Sequence, residues 1–314
     1  MLDRRIDGIL TDWQGHYASL FGQHPLRLQH KLGDTGLFTD EALESILENV
    51  DRNDYHVNYM DPKTGVRREG EFGNASGKQI LEAVKAGNIW INLRAPGRQN
   101  PAFDDMLRGI YDDFEKHVPG LKTYKQNMTI LISSPNVRVK YHVDVPGQSL
   151  WQVRGRKKVF VYPAEPPFLS ANGIEKVVIN EAHETDIQFQ EWFDDYATVY
   201  DLEPGEMLHW PLNCPHRVEN YDCMNVSVTT EHWTDALRNK YAVNFANGML
   251  RKMGLKNLDR GTRGLTFYTK LVLAGAVKFS GIQRKDVKPY NVDFAVDPDA
   301  PDGVKDIPAY QFTK

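Results

Sequence analysis

The spacing of apolar residues divides the chain into three parts of different character. In the first part, residues 1 to about 60, apolar residues recur at helical spacing in the segments ILTDWQGHYASLF and EALESILENV, which predicts helices. Thr39, followed by Asp40 and Glu41, offers a capping oxygen and acidic charge, so the second helix is expected to begin there. After this part, residues 61–77 are predicted to form a polar, glycine-rich loop, and residues 77–86 and 101–117 two further helices.

The pattern changes between Tyr124 and Trp233, where short apolar runs are separated by turn residues. The runs are MTILIS, VRVKYHV, SLWQV, KKVFVYP, VYDLEP, EMLHWP, HRVENY and NVSVTTEHW. Several short strands at close spacing predict an antiparallel sandwich or barrel. One interruption, residues 184–195, is interpreted as a helix or long loop within the β-rich part.

Helical spacing returns after Thr234, in ALRNKYAVNFANGMLRKMGL and LTFYTKLVLAGAVKF. The last 30 residues contain Pro298, Pro301 and Pro308 and many aspartates, which predicts an irregular, partly mobile tail. The expected fold class is therefore a mainly β core with α additions. The predicted divisions are a helical N-terminal flank that packs on the core, a catalytic core, and C-terminal helices with a tail, over residues 1–122, 123–233 and 234–314.

Composition narrows the class of protein without naming an activity. The 314 residues include 38 Lys and Arg against 42 Asp and Glu, a formal net charge of −4, which argues against a broad basic surface for nucleic acid. With only two cysteines, Cys214 and Cys223, a disulfide scaffold and a cysteine-rich zinc module are excluded. The most apolar run, Leu271 to Val277, is far shorter than the roughly 20 residues of a membrane helix. The charged N-terminal segment has no apolar signal core, so we expect a cytoplasmic protein.

The candidate metal-binding residues lie in the β-rich part, in the segment Tyr141-His142-Val143-Asp144. Residues two apart on a strand face the same side, so His142 and Asp144 are expected to project together. More histidines follow in the segment PGEMLHWPLNCPHRV, residues 204–218. Two histidines and one carboxylate that leave open positions on a metal form the site of non-haem Fe(II) oxygenases. An isolated His-x-Asp is more often a structural pair than a metal site, so the flanking segments decide its meaning.

Taken together, these segments resemble the jumonji-C/cupin-type 2-oxoglutarate oxygenases, particularly the asparaginyl-hydroxylase-like branch. The resemblance rests on His142-Val143-Asp144, on LWQVRGRKKVFVYP at 150–163, and on Gly-Glu-x4-Pro-x3-Pro-His-x-Val at 205–218. It covers roughly residues 124–233 and is weak over the N-terminal third. It implies a double-stranded β-helix, or jelly roll, flanked by N-terminal helices and a C-terminal helical segment. It also implies that His142, Asp144 and His216 bind Fe(II) and are the catalytic triad.

The resemblance further implies a site for 2-oxoglutarate as cosubstrate. The family has a lysine thirteen residues after the metal aspartate, and Lys157 stands at that position. Lys157 and Lys158 alternate across the predicted strand, so one of them faces inward, where a buried dicarboxylate needs a fixed cation. The implied activity is that of a dioxygenase that hydroxylates its substrate with O2 and converts 2-oxoglutarate to succinate and CO2. The substrate is a small molecule or a peptide or protein side chain, and both options stay open.

One position departs from the family pattern. The asparaginyl-hydroxylase-like branch has a threonine three residues before the first histidine that helps to hold 2-oxoglutarate, and here that residue is Val139. A second hydrogen-bond donor must come from another residue. Gln148 stands where the family has an asparagine, with the same amide chemistry. The other candidates lie on the preceding strand and on the final strand: Tyr124, Asn127 and Thr129, and Asn225, Ser227 and Thr229.

Several alternatives remain at this point. His209 is expected in the core or the pocket wall, because His216 follows the turn Pro211–Pro215 as the family ligand does. A cupin-type metal enzyme that does not use 2-oxoglutarate would lack an inward lysine. A non-catalytic cupin-like regulatory or interaction protein would have a broken triad, whereas this triad is complete.

The C-terminal helices suggest a further partner. Their apolar face, which includes Tyr241, Phe245, Met249 and Met253, could form a homodimer interface as in relatives. The alternative is that this face packs on the outer surface of the chain's own core.

Overall fold

The computed structural model of the protein describes residues 8–60, 66–280 and 289–313. Its helices are α1 (Tyr17–Leu20), α2 (Asp40–Asn49), α3 (Gly77–Ala86), α4 (Ala102–His117), α5 (Ala171–Val178), α6 (Asp235–Lys252) and α7 (Gly264–Phe279). Its strands are β1 (Leu26–Gln29), β2 (Tyr55–Met60), β3 (Arg67–Glu71), β4 (Ile89–Arg94), β5 (Tyr124–Ser133), β6 (Arg138–His142), β7 (Gly147–Arg154), β8 (Lys157–Val161), β9 (Thr198–Leu202), β10 (Glu206–His209), β11 (His216–Asn220), β12 (Asn225–Trp233), β13 (Tyr290–Val296) and β14 (Val304–Phe312).

Two facing sheets form the core, and the eight strands expected between Tyr124 and Trp233 are all present as β5 to β12. The larger sheet has the order β1-β10-β7-β12-β5-β4-β2-β3-β13-β14, and the smaller sheet has the order β6-β11-β8-β9. An apolar cluster fills the space between them, with Leu150 from the larger sheet and Val159 and Val218 from the smaller. The predicted fold class, a β jelly roll with α additions, is confirmed.

The N-terminal part contains more strand than the pattern predicted. The helices α2, α3 and α4 form as expected, and the Thr39 hydroxyl accepts from the amide of Ala42 to cap α2. Over the described residues 8–60 the helical prediction otherwise holds only for the single turn α1, because β1 and β2 join the larger sheet; residues 1–7 lie outside the described chain. In β2, Tyr55, Val57 and Tyr59 alternate with the polar His56 and Asn58, which is the period of a strand, so the sequence did contain this signal. The limits of the three predicted divisions stay a prediction.

Two segments expected to be irregular are strands at the far edge of the larger sheet. β3 lies in the predicted loop 61–77, of which residues 61–65 lie outside the described chain. In the predicted tail, β13 and β14 form an antiparallel hairpin, and β13 pairs in parallel with β3. Within the described residues both predictions are wrong; residues 285–288 and 314 of the predicted tail lie outside them. β3 is mostly charged and β14 is largely exposed, so their local sequence gives little sign of a strand. In β13 the alternating buried residues Val292, Phe294 and Val296 are a strand signal that the sequence did contain.

Helices cover the outside of the jelly roll. The apolar faces of α2, α3 and α4 pack on the outer face of the larger sheet. The insertion between β8 and β9 includes α5, which was not predicted, and a 3-10 turn at Glu191–Tyr196. The predicted C-terminal helices form as α6 and α7, and α6 packs on α5. Within the described ranges, no helix has the length and apolar character needed to cross a membrane.

The contact between β3 and β13 generates a stability prediction. Gly70 lies opposite Phe294, and a Cβ atom at Gly70 would overlap the buried Phe294 ring. We expect Gly70→Ala to lower the free energy of unfolding by roughly 1–3 kcal/mol, as overpacking does. Gly275→Ala is the control, because a Cβ there meets no atom and should be neutral or stabilising by up to about 1 kcal/mol. Equal unfolding free energies for Gly70→Ala and the wild type would contradict the packing described here.

Candidate metal centre

Two neighbouring strands of the smaller sheet bring the predicted triad together. His142 ends β6 and His216 begins β11, and the two residues are directly paired across the strands. Asp144 follows β6 by two residues. Its Oδ2 lies 3.3 Å from His216 Nε2, and its Oδ1 lies 4.0 Å from His142 Nε2. One ligand atom from each residue falls within 4.8 Å of the others, which is close enough for all three to share one ion.

Hydrogen bonds orient both imidazoles toward that shared position. His142 Nδ1 lies 2.8 Å from the carbonyl of Lys140, and His216 Nδ1 lies 3.1 Å from the carbonyl of Cys214. A carbonyl only accepts, so each Nδ1 carries the proton and donates it. Each Nε2 then keeps a free lone pair toward the carboxylate, which is the tautomer that a metal ligand needs.

Because the triad is buried, the carboxylate of Asp144 needs a cation beside it. Burial, with Glu184 and Glu231 nearby, raises the pKa of Asp144 well above its ordinary range. Burial also lowers the pKa of His142 and His216, so neutral imidazoles surround a desolvated carboxylate. A divalent cation would compensate that carboxylate. Two imidazoles and one carboxylate with open positions suit Fe(II), so the residues present fit the implied metal.

Asp144 is held from two further sides. The Gln148 amide lies against its carboxylate; with the nitrogen facing the acceptor oxygens, it donates to Oδ1 at 3.0 Å and to Oδ2. Asn213 Nδ2 donates to the Asp144 carbonyl at 2.7 Å. Asn213 lies in the turn before His216, at a φ of 61° that asparagine tolerates. It therefore ties the loop of Asp144 to the turn that positions the distal histidine.

Lys157 points into the same barrel. It is 4% exposed and lies on the face of β8 that also carries the buried Val159 and Val161. Its ammonium group has no hydrogen-bond or ion-pair partner among the residues that the structure describes. Burial lowers the pKa of Lys157 to about 7, with Cys223 partly opposing the shift. A buried cation without a partner is costly, so this side chain is suited to an anionic ligand.

The remaining predicted residues are spread along the inner face of the larger sheet. Asn127 lies opposite Glu231, and Thr129 lies opposite Thr229, two residues deeper. Asn225, at the far end, is bonded to the Gln152 amide and to the Cys223 carbonyl. The Tyr124 hydroxyl is buried without a partner in the described part of the chain.

His209 lies on the opposite face of the sheet from the triad. Its ring stacks on Phe21 at 4.1 Å, and it belongs to an aromatic cluster with Phe114 and His232. The expectation that His209 is a core residue, with His216 at the triad, agrees with this placement.

Comparison with known proteins now identifies the family. A family model described as a cupin-like domain matches residues 7–237, well over half of the chain. The chain belongs to the cupin-like family. A search of curated proteins found no match to the sequence.

Solved structures share the cupin-like fold at low sequence identity. An X-ray structure of Escherichia coli YcfD has a TM-score of 0.52 at 14% identity, over 88% of this chain and 69% of that one. A structure titled as the E. coli ribosomal oxygenase YcfD has a TM-score of 0.50 at 14% identity, over 88% and 68%. A third, of YcfD in complex with cobalt and 2-oxoglutarate, has a TM-score of 0.50 at 14% identity, over 93% and 75%. At this identity the likeness shows the fold alone.

Three residues of the cupin-like site escaped the sequence prediction. Glu231 continues the alternating inward run Asn225, Ser227, Thr229, so the period of β12 could have revealed it. Glu184 comes from the insertion, whose backbone meets the metal loop where the Val143 amide donates to the Glu184 carbonyl at 3.4 Å. Burial, with Glu231, raises the pKa of Glu184 to about 7. Neither Glu184 nor Asn213 gives a signal in the sequence, because tertiary contacts alone place them.

Metal addition tests the triad. We expect Co(II), a substitute for Fe(II), to raise the unfolding temperature of the wild type, since a ligand at 100 times its Kd adds about 2.7 kcal/mol. Asp144→Ala should abolish the Co(II)-dependent rise measured by scanning calorimetry, because the anionic ligand is lost. Glu219→Ala, on β11 but distant from the triad, should retain the rise. A Co(II)-dependent rise in Asp144→Ala equal to that of the wild type would argue against this metal site.

Proposed function

We propose that this protein is an Fe(II)- and 2-oxoglutarate-dependent oxygenase that uses O2 to hydroxylate a small molecule or a peptide side chain. One observation carries the proposal: the complete triad of His142, Asp144 and His216 shares a barrel with a buried lysine that has no partner in the described chain. The triad requires a cation, and the lysine requires an anion. A metal-chelating dicarboxylate would satisfy both requirements.

The spacing of the two charged positions supports 2-oxoglutarate as that dicarboxylate. In the pairing of β11 with β8, His216 lies opposite Val161 and Lys157 lies opposite Asn220. The four-residue offset corresponds to about 13 Å along the strand. An elongated dicarboxylate at the metal and the extended side chain of Lys157 can together span this distance. The structure titled YcfD in complex with cobalt and 2-oxoglutarate, on the same fold, supports the same assignment.

For the second anchor of 2-oxoglutarate we favour Thr129 among the predicted candidates. The Gln148 amide is engaged by Asp144, and Asn225 is engaged by Gln152 and Cys223. Thr129 lies on the inner face of β5, two residues further toward the level of Asn225 than Asn127, whose partner Glu231 is near Asp144. Asn127 and Tyr124 lie nearer the mouth, and we place them beside the substrate.

The chain's own residues then have distinct tasks. His142, Asp144 and His216 hold the metal on one side, and Lys157 neutralises the distal carboxylate of the cosubstrate. Leu150, Val159 and Trp210 surround the space between with apolar surface, which excludes water from it. When bound, Fe(II) supplies O2 activation coupled to conversion of 2-oxoglutarate to succinate and CO2.

The charged residues at the mouth of the barrel restrict the class of substrate. Glu184 and Glu231 are close enough to Asp144 to raise its pKa, and Arg94 opposes the shifts of both glutamates. With two glutamates against a single arginine among these groups, the mouth offers no basic surface for a phosphate backbone, so we expect a substrate other than nucleic acid. The two cysteines are free thiols, in keeping with the reducing cytoplasm that we propose as the location.

The two competing functions explain Lys157 and the triad less well. A cupin-type metal enzyme without 2-oxoglutarate gives no role to a buried, unpaired Lys157. A non-catalytic cupin-like protein gives no reason for two histidines presented in the metal-binding tautomer beside a buried carboxylate.

Replacement of Lys157 tests the cosubstrate site. Between pH 7 and the ordinary lysine pKa, the unfolded chain holds a proton that folded Lys157 releases, so this lysine destabilises the ligand-free protein most at low pH. We expect Lys157→Met to raise the unfolding free energy at neutral pH by roughly 2–5 kcal/mol, with the gain shrinking as the pH rises toward 10. The same variant should lose stabilisation by 2-oxoglutarate in the presence of Co(II), measured by scanning calorimetry.

Lys158→Met is the matched control, because Lys158 faces outward over the Tyr221 ring. It should change stability by no more than about 0.5 kcal/mol and retain the response to 2-oxoglutarate. For the function as a whole, anaerobic Fe(II) and 2-oxoglutarate should give a weak visible charge-transfer band that His142→Ala lacks. Absence of the band in the wild type would overturn the proposal.

We also propose that a second copy of this chain binds through the C-terminal helices. The face that includes Tyr241 and Phe245 packs on the chain itself, against the cluster formed by α5. α7 instead exposes large apolar residues at spacings of three, four and seven: Leu265, Tyr268, Val272 and Phe279. Such a stripe is typical of a helix–helix interface.

Sedimentation analysis tests this interface. We expect the wild type to sediment as a dimer and Val272→Glu to sediment as a monomer, because a charge in the apolar stripe must be desolvated on association. Lys252→Glu, on α6 and outside the stripe, should remain dimeric. A monomeric wild type at high concentration would rule out this contact.

A further inference from the structure

The buried His209 and the metal ligand Asp144 are connected through a single residue, Gln148. The Gln148 amide donates to the Asp144 carboxylate, at 3.0 Å to Oδ1. The Gln148 carbonyl lies 2.9 Å from His209 Nδ1. Gln148 therefore contacts the metal carboxylate with its side chain and His209 with its backbone.

The hydrogen bonds of His209 determine its tautomer. The Gly22 amide donates to His209 Nε2 at 3.2 Å, so Nε2 is an acceptor. Burial lowers the pKa of His209 to about 3, so the ring is neutral and its one proton is on Nδ1. That proton is donated to the Gln148 carbonyl, with the Ser149 hydroxyl 3.0 Å away as a second neighbour.

The position of His209 explains why a side chain makes this bond. The pairing of β10 with β7 ends at His209 and Ser149, one residue short of Gln148. The His209 ring supplies the donor at the point where the strand has ended. The ring is itself fixed by parallel stacking on Phe21 and by the Gly22 amide, so the segment after α1 supports the end of β7.

We infer that Gln148 and His209 are positioning residues that hold the Asp144 carboxylate in the orientation needed to bind the metal. This inference rests on the proposed metal site. It gives Gln148 a role other than the cosubstrate anchor expected from the sequence. Outer hydrogen-bond partners of metal ligands commonly change metal affinity by about 10- to 100-fold when they are removed.

Co(II) titration without 2-oxoglutarate tests the inference. We expect Gln148→Leu to weaken Co(II) binding about 10- to 100-fold and to change the Co(II) visible spectrum, because the carboxylate is no longer oriented. The matched control is Gln152→Leu, the same substitution on the same strand at a buried glutamine that bonds Asn225 and Ser227 instead of the triad. It should lose stability but keep the wild-type Co(II) affinity and spectrum.

A second pair of variants tests His209. His209→Leu should weaken Co(II) binding by roughly 5-fold, less than Gln148→Leu because it acts through the backbone. His209→Asn, whose amide can still donate to the Gln148 carbonyl, should restore affinity to within about 2-fold. His232→Leu removes a buried histidine of the same aromatic cluster, which makes no hydrogen bond to Gln148 in the described part of the chain, and should leave Co(II) affinity unchanged.

The outcomes separate this inference from the proposed function. If the wild type binds no Co(II), both the metal site and the positioning role are overturned. If the wild type binds Co(II) and Gln148→Leu binds it equally well, only the positioning role is overturned. The role is also overturned if Gln148→Leu and Gln152→Leu weaken binding to the same extent, because the effect would then follow general loss of stability.

Discussion

The register between β6 and β11 is the constraint on which the rest of the site depends. It places His142 directly opposite His216, so two residues more than seventy positions apart in the chain can share one ion. A shift of one residue would turn a histidine to the outer face of the sheet. The pairing of β11 with β8 extends the same register and sets the distance from the triad to Lys157.

Buried charges give the barrel its chemical character. At one end, Asp144 is desolvated between two neutral imidazoles, and farther in, Lys157 is desolvated without a partner in the described chain. The space between them is apolar. Each charge is costly in the ligand-free protein, and each cost is offset when a ligand of opposite charge binds. The two buried charges therefore lower the stability of the ligand-free protein and at the same time prepare the site to bind a metal and an anion.

The elements that the sequence predicted correctly are those whose signal lies within a short segment of the chain. The strands from β5 to β12 and the helices α2, α3, α4, α6 and α7 follow from their periods and caps. The edge strands β3 and β14 were missed because charged or largely exposed strands adopt their conformation through pairing with a sheet, whereas the alternation of buried residues in β13 was within reach of the sequence. Glu231 was within reach of a period-two count along β12. Glu184 was not, because it belongs to an insertion placed by contacts with α6 and the metal loop.

The sequence by itself determined the type of site: the residues able to bind a metal, the inward lysine, and the jelly roll that carries them. Those features follow from short motifs and strand periods, which act within a few residues. Only the tertiary structure decided how Gln148 is used, that Asn213 joins the loops of two ligands, and that His209 lies behind the sheet rather than in the pocket. These relations depend on which strands pair and where each pairing ends, and no local pattern in the sequence encodes that.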